Sequence, residues 1–190
     1  MANWGTWMRG LTALMVRSSI GWMQRAAVAL IWAATASAAP SSLIGQSAPD
    51  FALPPALTGD NVRLSEYHGQ PVMLLFWSSK CGTCARQLAV MERLYETYHS
   101  AGLVVLGVSV DDDAQHAERY AREHRTHFPL LLDSDKAVGR DYKIDRLPTT
   151  VLIDRSGNIR YLNDDDRAND RSYIAQIRTL LDDEGVSAER

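Results

Sequence analysis

The chain's only two cysteines, Cys81 and Cys84, stand three residues apart directly after an apolar run from Pro71 to Trp77. A continuous apolar run of that length, rather than an alternating one, suits a strand buried on both faces, as in a sheet covered by helices on each side. Behind the cysteines, Leu88, Met91, Leu94, Tyr95 and Tyr98 recur at helical spacing, and the pattern stops near Gly102. The pair is therefore expected to open a helix of about four turns, at the point where a buried strand hands over to it.

The rest of the chain extends this plan. Two short strands are expected at Pro49–Leu53 and Val62–Leu64, either side of Pro54-Pro55 and a Gly59-Asp60-Asn61 turn. Leu103–Val110 reads as a second buried strand. Asp111, Asp112 and Asp113 read as a helix-start cluster rather than a metal site, ahead of Ala114, Ala117, Tyr120 and Ala121 on an inner helix face. Phe128–Leu132 reads as a strand and Lys136–Tyr142 as a short helix. Thr149–Asp154 and Ile159–Leu162 flank Arg155-Ser156-Gly157-Asn158 as a hairpin, and Ile174, Ile177, Leu180 and Leu181 mark a last amphipathic helix. A frayed tail is expected beyond Asp182. This order predicts an α/β fold, a three-layer α/β/α sandwich around a mixed sheet, with chemistry at the C-terminal ends of the parallel strands.

Two cysteines at the start of a helix suit dithiol chemistry. Residues three apart share a helix face, close enough for a disulfide. Unpaired N–H groups and the positive end of the helix dipole stabilise a thiolate on Cys81, and Lys80 adds a full charge. Cys84, one turn in, is then the resolving thiol. Other readings of the motif fare worse. Structural zinc needs four ligands, and neither His68 nor His99 sits in a ligand-like pair. A haem-attachment motif needs histidine at position 85, which is Ala85. A disulfide closing so short a loop constrains the unfolded chain little and makes a poor staple.

All 23 acidic residues lie at or after Asp50, whereas the first 39 residues carry Arg9, Arg17 and Arg25 and no acid. An apolar stretch from Ala26 to Ala34 precedes Ala36-Ser37-Ala38-Ala39. Basic flank, short apolar core and small-residue site together predict a secretory leader over 1–39, cut near Ala38 or Ala39, with one domain over 40–190. Met8, Met15 and Met23 offer later starts, Met15 giving a leader of more usual length. An uncleaved leader acting as a membrane tether is the alternative. Beyond it, 17 basic residues face 23 acidic ones. No basic stripe appears, so no nucleic-acid partner is expected. An oxidising compartment, periplasmic or otherwise exported, suits the cysteine pair.

Phe76-Trp77 before the C-x-x-C, Val105–Asp111, Leu147-Pro148-Thr149-Thr150 and Ile153-Asp154-Arg155-Ser156-Gly157 together resemble the thioredoxin-like redoxins. They are most similar to the TlpA/ResA/CcmG group of exported thiol-disulfide oxidoreductases. The resemblance spans about Ile44 to Asp182. It implies a thioredoxin-like fold and catalysis by Cys81 and Cys84 without a cofactor or metal. It also implies a cis Pro148 facing the dithiol, with Leu147 offering its backbone to an extended substrate segment, and Trp77 beside the dithiol as a tuning group with Lys80. Implied partners are protein thiols or disulfides and a membrane electron donor, in cytochrome c maturation or copper-site thiol reduction. On residues alone, an X-Pro that opens a strand is also compatible with an ordinary trans bond, cis being found in only about one X-Pro in twenty. Three positions depart from the group. Lys80 replaces a common Trp, Gln87 a frequent Glu, and Leu75 the buried Asp of thioredoxins, so the acceptor of the Cys84 proton stays open. Two other functions fit parts of the pattern: a peroxiredoxin-like peroxidase, for which Ser78 fits and Leu74 does not, and a Cu(I) chaperone using both sulfurs.

Overall fold

The computed structural model describes residues 42–124, 126–164 and 170–183. The expected leader over 1–39, its cleavage site and the tail from 184 onward lie outside the described residues. Among the described residues no helix is long and apolar enough to cross a membrane.

A small antiparallel pair, β1 (Ala52–Leu53) and β2 (Val62–Arg63), precedes one turn of 3-10 helix at Leu64–Tyr67 that the sequence pattern does not announce. The apolar run forms β3 (Val72–Trp77), every residue of it buried. The helix behind the cysteines is α1 (Cys84–Tyr98), closed by a 3-10 turn and by Gly102 in the left-handed region at φ 97°. Then follow β4 (Val104–Ser109), α2 (Ala114–His124), β5 (Leu130–Leu132), α3 (Ala137–Asp141), β6 (Thr149–Ile153), β7 (Ile159–Asn163) and α4 (Asp170–Asp182).

The main sheet has the order β5-β4-β3-β6-β7. Strands β3, β4 and β5 run parallel, while β6 is antiparallel to both β3 and β7, so the sheet is mixed as expected. Side chains along β3 alternate between two cores. Met73, Leu75 and Trp77 join Leu88, Met91 and Leu94 of α1, Ala117 and Ala121 of α2, and Tyr173, Ile177 and Leu180 of α4. Val72, Leu74 and Phe76 join Leu106, Val108, Val138, Tyr142 and the N-terminal Leu43, Phe51, Leu53 and Leu64. Helices lie on both faces, but unevenly. One face holds α1, α2 and α4; the other is covered by α3 and the segment around β1 and β2.

Two readings of helix faces are refined. The inward face of α4 holds the predicted Ile177 and Leu180, with Ile174 and Leu181 partly buried against the same core, and adds Tyr173, which the periodic pattern does not mark. The aspartate run also divides. Asp113 accepts the N–H of Gln115 in the first turn of α2 at 3.0 Å, as a helix-start residue should, whereas Asp111 is buried and turned toward the dithiol loop.

Candidate active site: a dithiol at the end of the central strand

Because β3 is parallel to β4, its C-terminal end faces the same edge of the sheet as Ser109 and Val110, and the chain turns there through residues 78–83 into α1. Cys81 and Cys84 form a disulfide with their Cα atoms 5.3 Å apart. The first helical residue is Cys84, so Cys81 sits one turn ahead of the helix rather than inside it. That turn is closed by hydrogen bonds from Cys81 N–H to the Ser78 carbonyl and from Cys84 N–H to the Cys81 carbonyl, each 3.1 Å. Cys84 is sealed in the core, while Cys81 is half-buried and within 3.5 Å of the Thr83 hydroxyl. The accessible sulfur is thus the one before the helix and the sheltered sulfur the one inside it, the asymmetry that attack and resolution require.

The opposite wall comes from β6. The register pairs Phe76 with Thr149, which sets Leu147-Pro148 level with the exit of β3. The Leu147–Pro148 peptide is cis; Pro148 is buried and Leu147 partly so.

A family model for the AhpC/TSA family matches residues 44–162. The chain belongs to the AhpC/TSA family. Among relatives of this redoxin is the thiol-disulfide oxidoreductase ResA of Geobacillus kaustophilus (strain HTA426), 36% identical over 119 residues, covering 63% of this chain and 68% of that one. ResA of Bacillus subtilis (strain 168) is 30% identical over 115 residues, covering 60% and 64%. A crystal structure from Chlorobium tepidum, assigned as a thiol:disulfide interchange protein DsbE, superposes with a TM-score of 0.67 at 30% identity, over 73% of this chain and 96% of that one. The fold is thioredoxin-like, and the redoxin is a disulfide oxidoreductase of the ResA and DsbE kind.

The remaining predicted groups take these places. Trp77 is fully buried in the core that also holds Cys84, with its ring tilted on Tyr120 at 4.8 Å. The ring also lies over Gly107: a Cβ there would meet Trp77 Nε1 at 3.3 Å and Leu130 Cδ2 at 2.5 Å. The indole N–H has no hydrogen-bond partner among the described residues. Lys80 is exposed, and the carboxyl of Asp112 is held below its usual range by a 2.6 Å ion pair with Lys136 and, more weakly, by the charge of Lys80.

Two features escaped the sequence reading. Gln87, one turn past Cys84 and 4% exposed, donates to the Tyr173 hydroxyl at 2.9 Å, which donates to Thr150 Oγ1 at 3.1 Å. A neutral chain of hydrogen bonds therefore stands one turn past Cys84. The second feature is Asp111, whose contacts are set out below. Elsewhere, Glu92, Glu96 and His127 bring three ligand-capable atoms within 4.8 Å of one another. An ion pair accounts for the contacts there: the Glu92 carboxylate takes both the backbone N–H and the ring of His127, which raises the imidazole pKa.

Proposed function

We propose that this protein is an exported thiol-disulfide oxidoreductase that exchanges disulfides with protein substrates through Cys81 and Cys84. The observation that carries the reading is the accessible Cys81 joined to a buried Cys84 at the sheet end that Leu147-Pro148 also reaches. In the reducing direction, the Cys81 thiolate attacks one sulfur of a substrate disulfide and the other leaves as a thiolate. Cys84 then gives up its proton and attacks Cys81. The substrate's second sulfur departs, and two electrons have passed from the dithiol to the substrate. Leu147 supplies backbone to an extended substrate segment, in the manner of a strand added to an edge.

Export is supported by the basic, acid-free first 39 residues and the Ala36–Ala39 site. A membrane electron donor that keeps the pair reduced, and a role in cytochrome c maturation or copper-site thiol reduction, complete the proposal. A peroxidase reading is disfavoured by one contact: the Ser78 hydroxyl that it needs is already given to Asp111 at 2.6 Å.

Trapping tests the roles of the two thiols. In cells expressing Cys84→Ser, mixed disulfides with partner proteins should accumulate through Cys81, and in Cys81→Ser they should not; the reverse pattern would overturn the assignment. Mass spectrometry of exported protein should find a first residue of Ala39 or Pro40, and retention of Met1 or Met15 would favour a tethered form.

A further inference from the structure

Asp111 is 4% exposed, and its carboxylate is engaged on every side. Oδ1 accepts the Ser78 hydroxyl at 2.6 Å and the Ser79 hydroxyl at 3.0 Å. The backbone N–H of Ser79 is shared between Oδ1 at 3.2 Å and Oδ2 at 2.9 Å, and Oδ2 also accepts the Ser109 hydroxyl at 2.9 Å. Ser78 Oγ in turn accepts the N–H of Lys80 at 3.2 Å, and the Ser78 carbonyl accepts the N–H of Cys81 at 3.1 Å. Three consecutive N–H groups, those of Ser79, Lys80 and Cys81, are thus committed to Asp111 or to the serine it holds. Burial works against ionisation of Asp111, but the hydrogen bonds from Ser78, Ser79 and Ser109 outweigh it and keep the carboxyl below its usual range.

A thiolate in a loop before a helix draws stabilisation from nearby N–H groups and positive charge. Here the Ser79 N–H is given to the Asp111 carboxylate, and the Lys80 and Cys81 N–H groups are given to Ser78, which that carboxylate holds. We propose that Asp111 is a positioning residue of the dithiol: it fixes the turn that carries Cys81 and, by setting a buried negative charge against that turn, directly on the Ser79 N–H and through Ser78 on those of Lys80 and Cys81, holds the couple more reducing than Lys80 and the helix start alone would make it. The other charges around the turn are Lys80 and Asp112, with Lys136 paired to Asp112. The inference rests on the dithiol reading of Cys81 and Cys84.

The test compares the full chain with Asp111→Asn, which keeps the shape and removes the charge. Ultraviolet thiolate titration of the reduced protein should show the Cys81 pKa falling by about half a unit to one unit. In a fixed glutathione buffer above that pKa, the dithiol-to-disulfide ratio should rise about three- to tenfold. A variant that melts earlier but keeps both wild-type values would reduce Asp111 to a structural group and overturn the inference, as would a shift of opposite sign. Should Asp111→Asn not fold, Ser78→Ala frees the Lys80 N–H and should move both readouts the same way by less; no movement there overturns it equally. A wild-type chain with no dithiol-disulfide transition would sink the dithiol reading itself, which is a separate failure.

Discussion

Tyr173→Phe probes the neutral hydrogen-bond chain beside Cys84. The substitution keeps the ring, which is 1% exposed, and removes one oxygen that accepts from Gln87 and donates to Thr150. Each lost bond between neutral groups is worth roughly 1 kcal/mol net, and a buried amide N–H left without an acceptor costs about 1–3 kcal/mol. The expected loss is about 2 kcal/mol, which in a domain of this size lowers the melting temperature by about 4–8 °C. Urea denaturation, with the slope checked against wild type, measures it directly. Adding Gln87→Leu to the Phe variant removes the stranded amide and should recover part of the loss, giving a coupling energy of at least about 0.5 kcal/mol in the double-mutant cycle. A Phe variant within about 0.5 kcal/mol of wild type, or strictly additive single substitutions, would show that the chain of hydrogen bonds contributes little.

Trp77 is the only tryptophan after residue 39 and lies in the same core as Cys84, so reducing the disulfide should brighten emission from a chain that begins at Pro40. A single transition in a thiol buffer, lost in Cys81→Ser, is expected; emission indifferent to redox state would refute the placement. Asp111 has a folded pKa below its unfolded value near 3.9, so its contribution to stability is complete above about pH 4 and lost as pH falls through the lower folded value. Urea midpoints measured from pH 6 downward should therefore drop at the acid end, and less steeply in Asp111→Asn. Gly107→Ala should cost about 1–3 kcal/mol by overpacking, because the Leu130 methyl can swing aside but the Trp77 ring is wedged against Tyr120. A melting curve identical to wild type would contradict that packing.

What the sequence made legible is what hydrophobic period and turn chemistry encode. The runs that became β3 and β4, the hairpin at 155–158 and the helix behind Cys84 each carry their own local signal, and the two sulfurs are paired where three-residue spacing puts them. Tertiary hydrogen bonding stayed hidden. Gln87 meets a tyrosine 86 positions later, and Asp111 meets serines 32 and 33 positions earlier. No window of sequence contains both partners. Asp111 was further masked by its neighbours, since three aspartates before a helix look alike until one is buried. Tyr173 on the inward stripe of α4 was missed for a related reason. Tyr173 counts as amphipathic in a periodic pattern, and only its contact with Gln87 and Thr150 shows it to be an inner residue.

The register of β3 has a consequence for how the protein comes into being. Val72 lies opposite Val104 on one side and Ile153 on the other, so the strand leading to Cys81 acquires its second neighbour only after some 80 further residues have been made. A nascent or truncated chain ending before Leu147 holds both thiols, three residues apart, but lacks Leu147, Pro148 and β6. On the substrate-binding role proposed for Leu147 and Pro148, such a fragment keeps the reactivity of a small dithiol without the selectivity. On that proposal, partner choice depends on a late-made part of the chain, and prematurely terminated chains would be indiscriminate thiols rather than weakened enzymes.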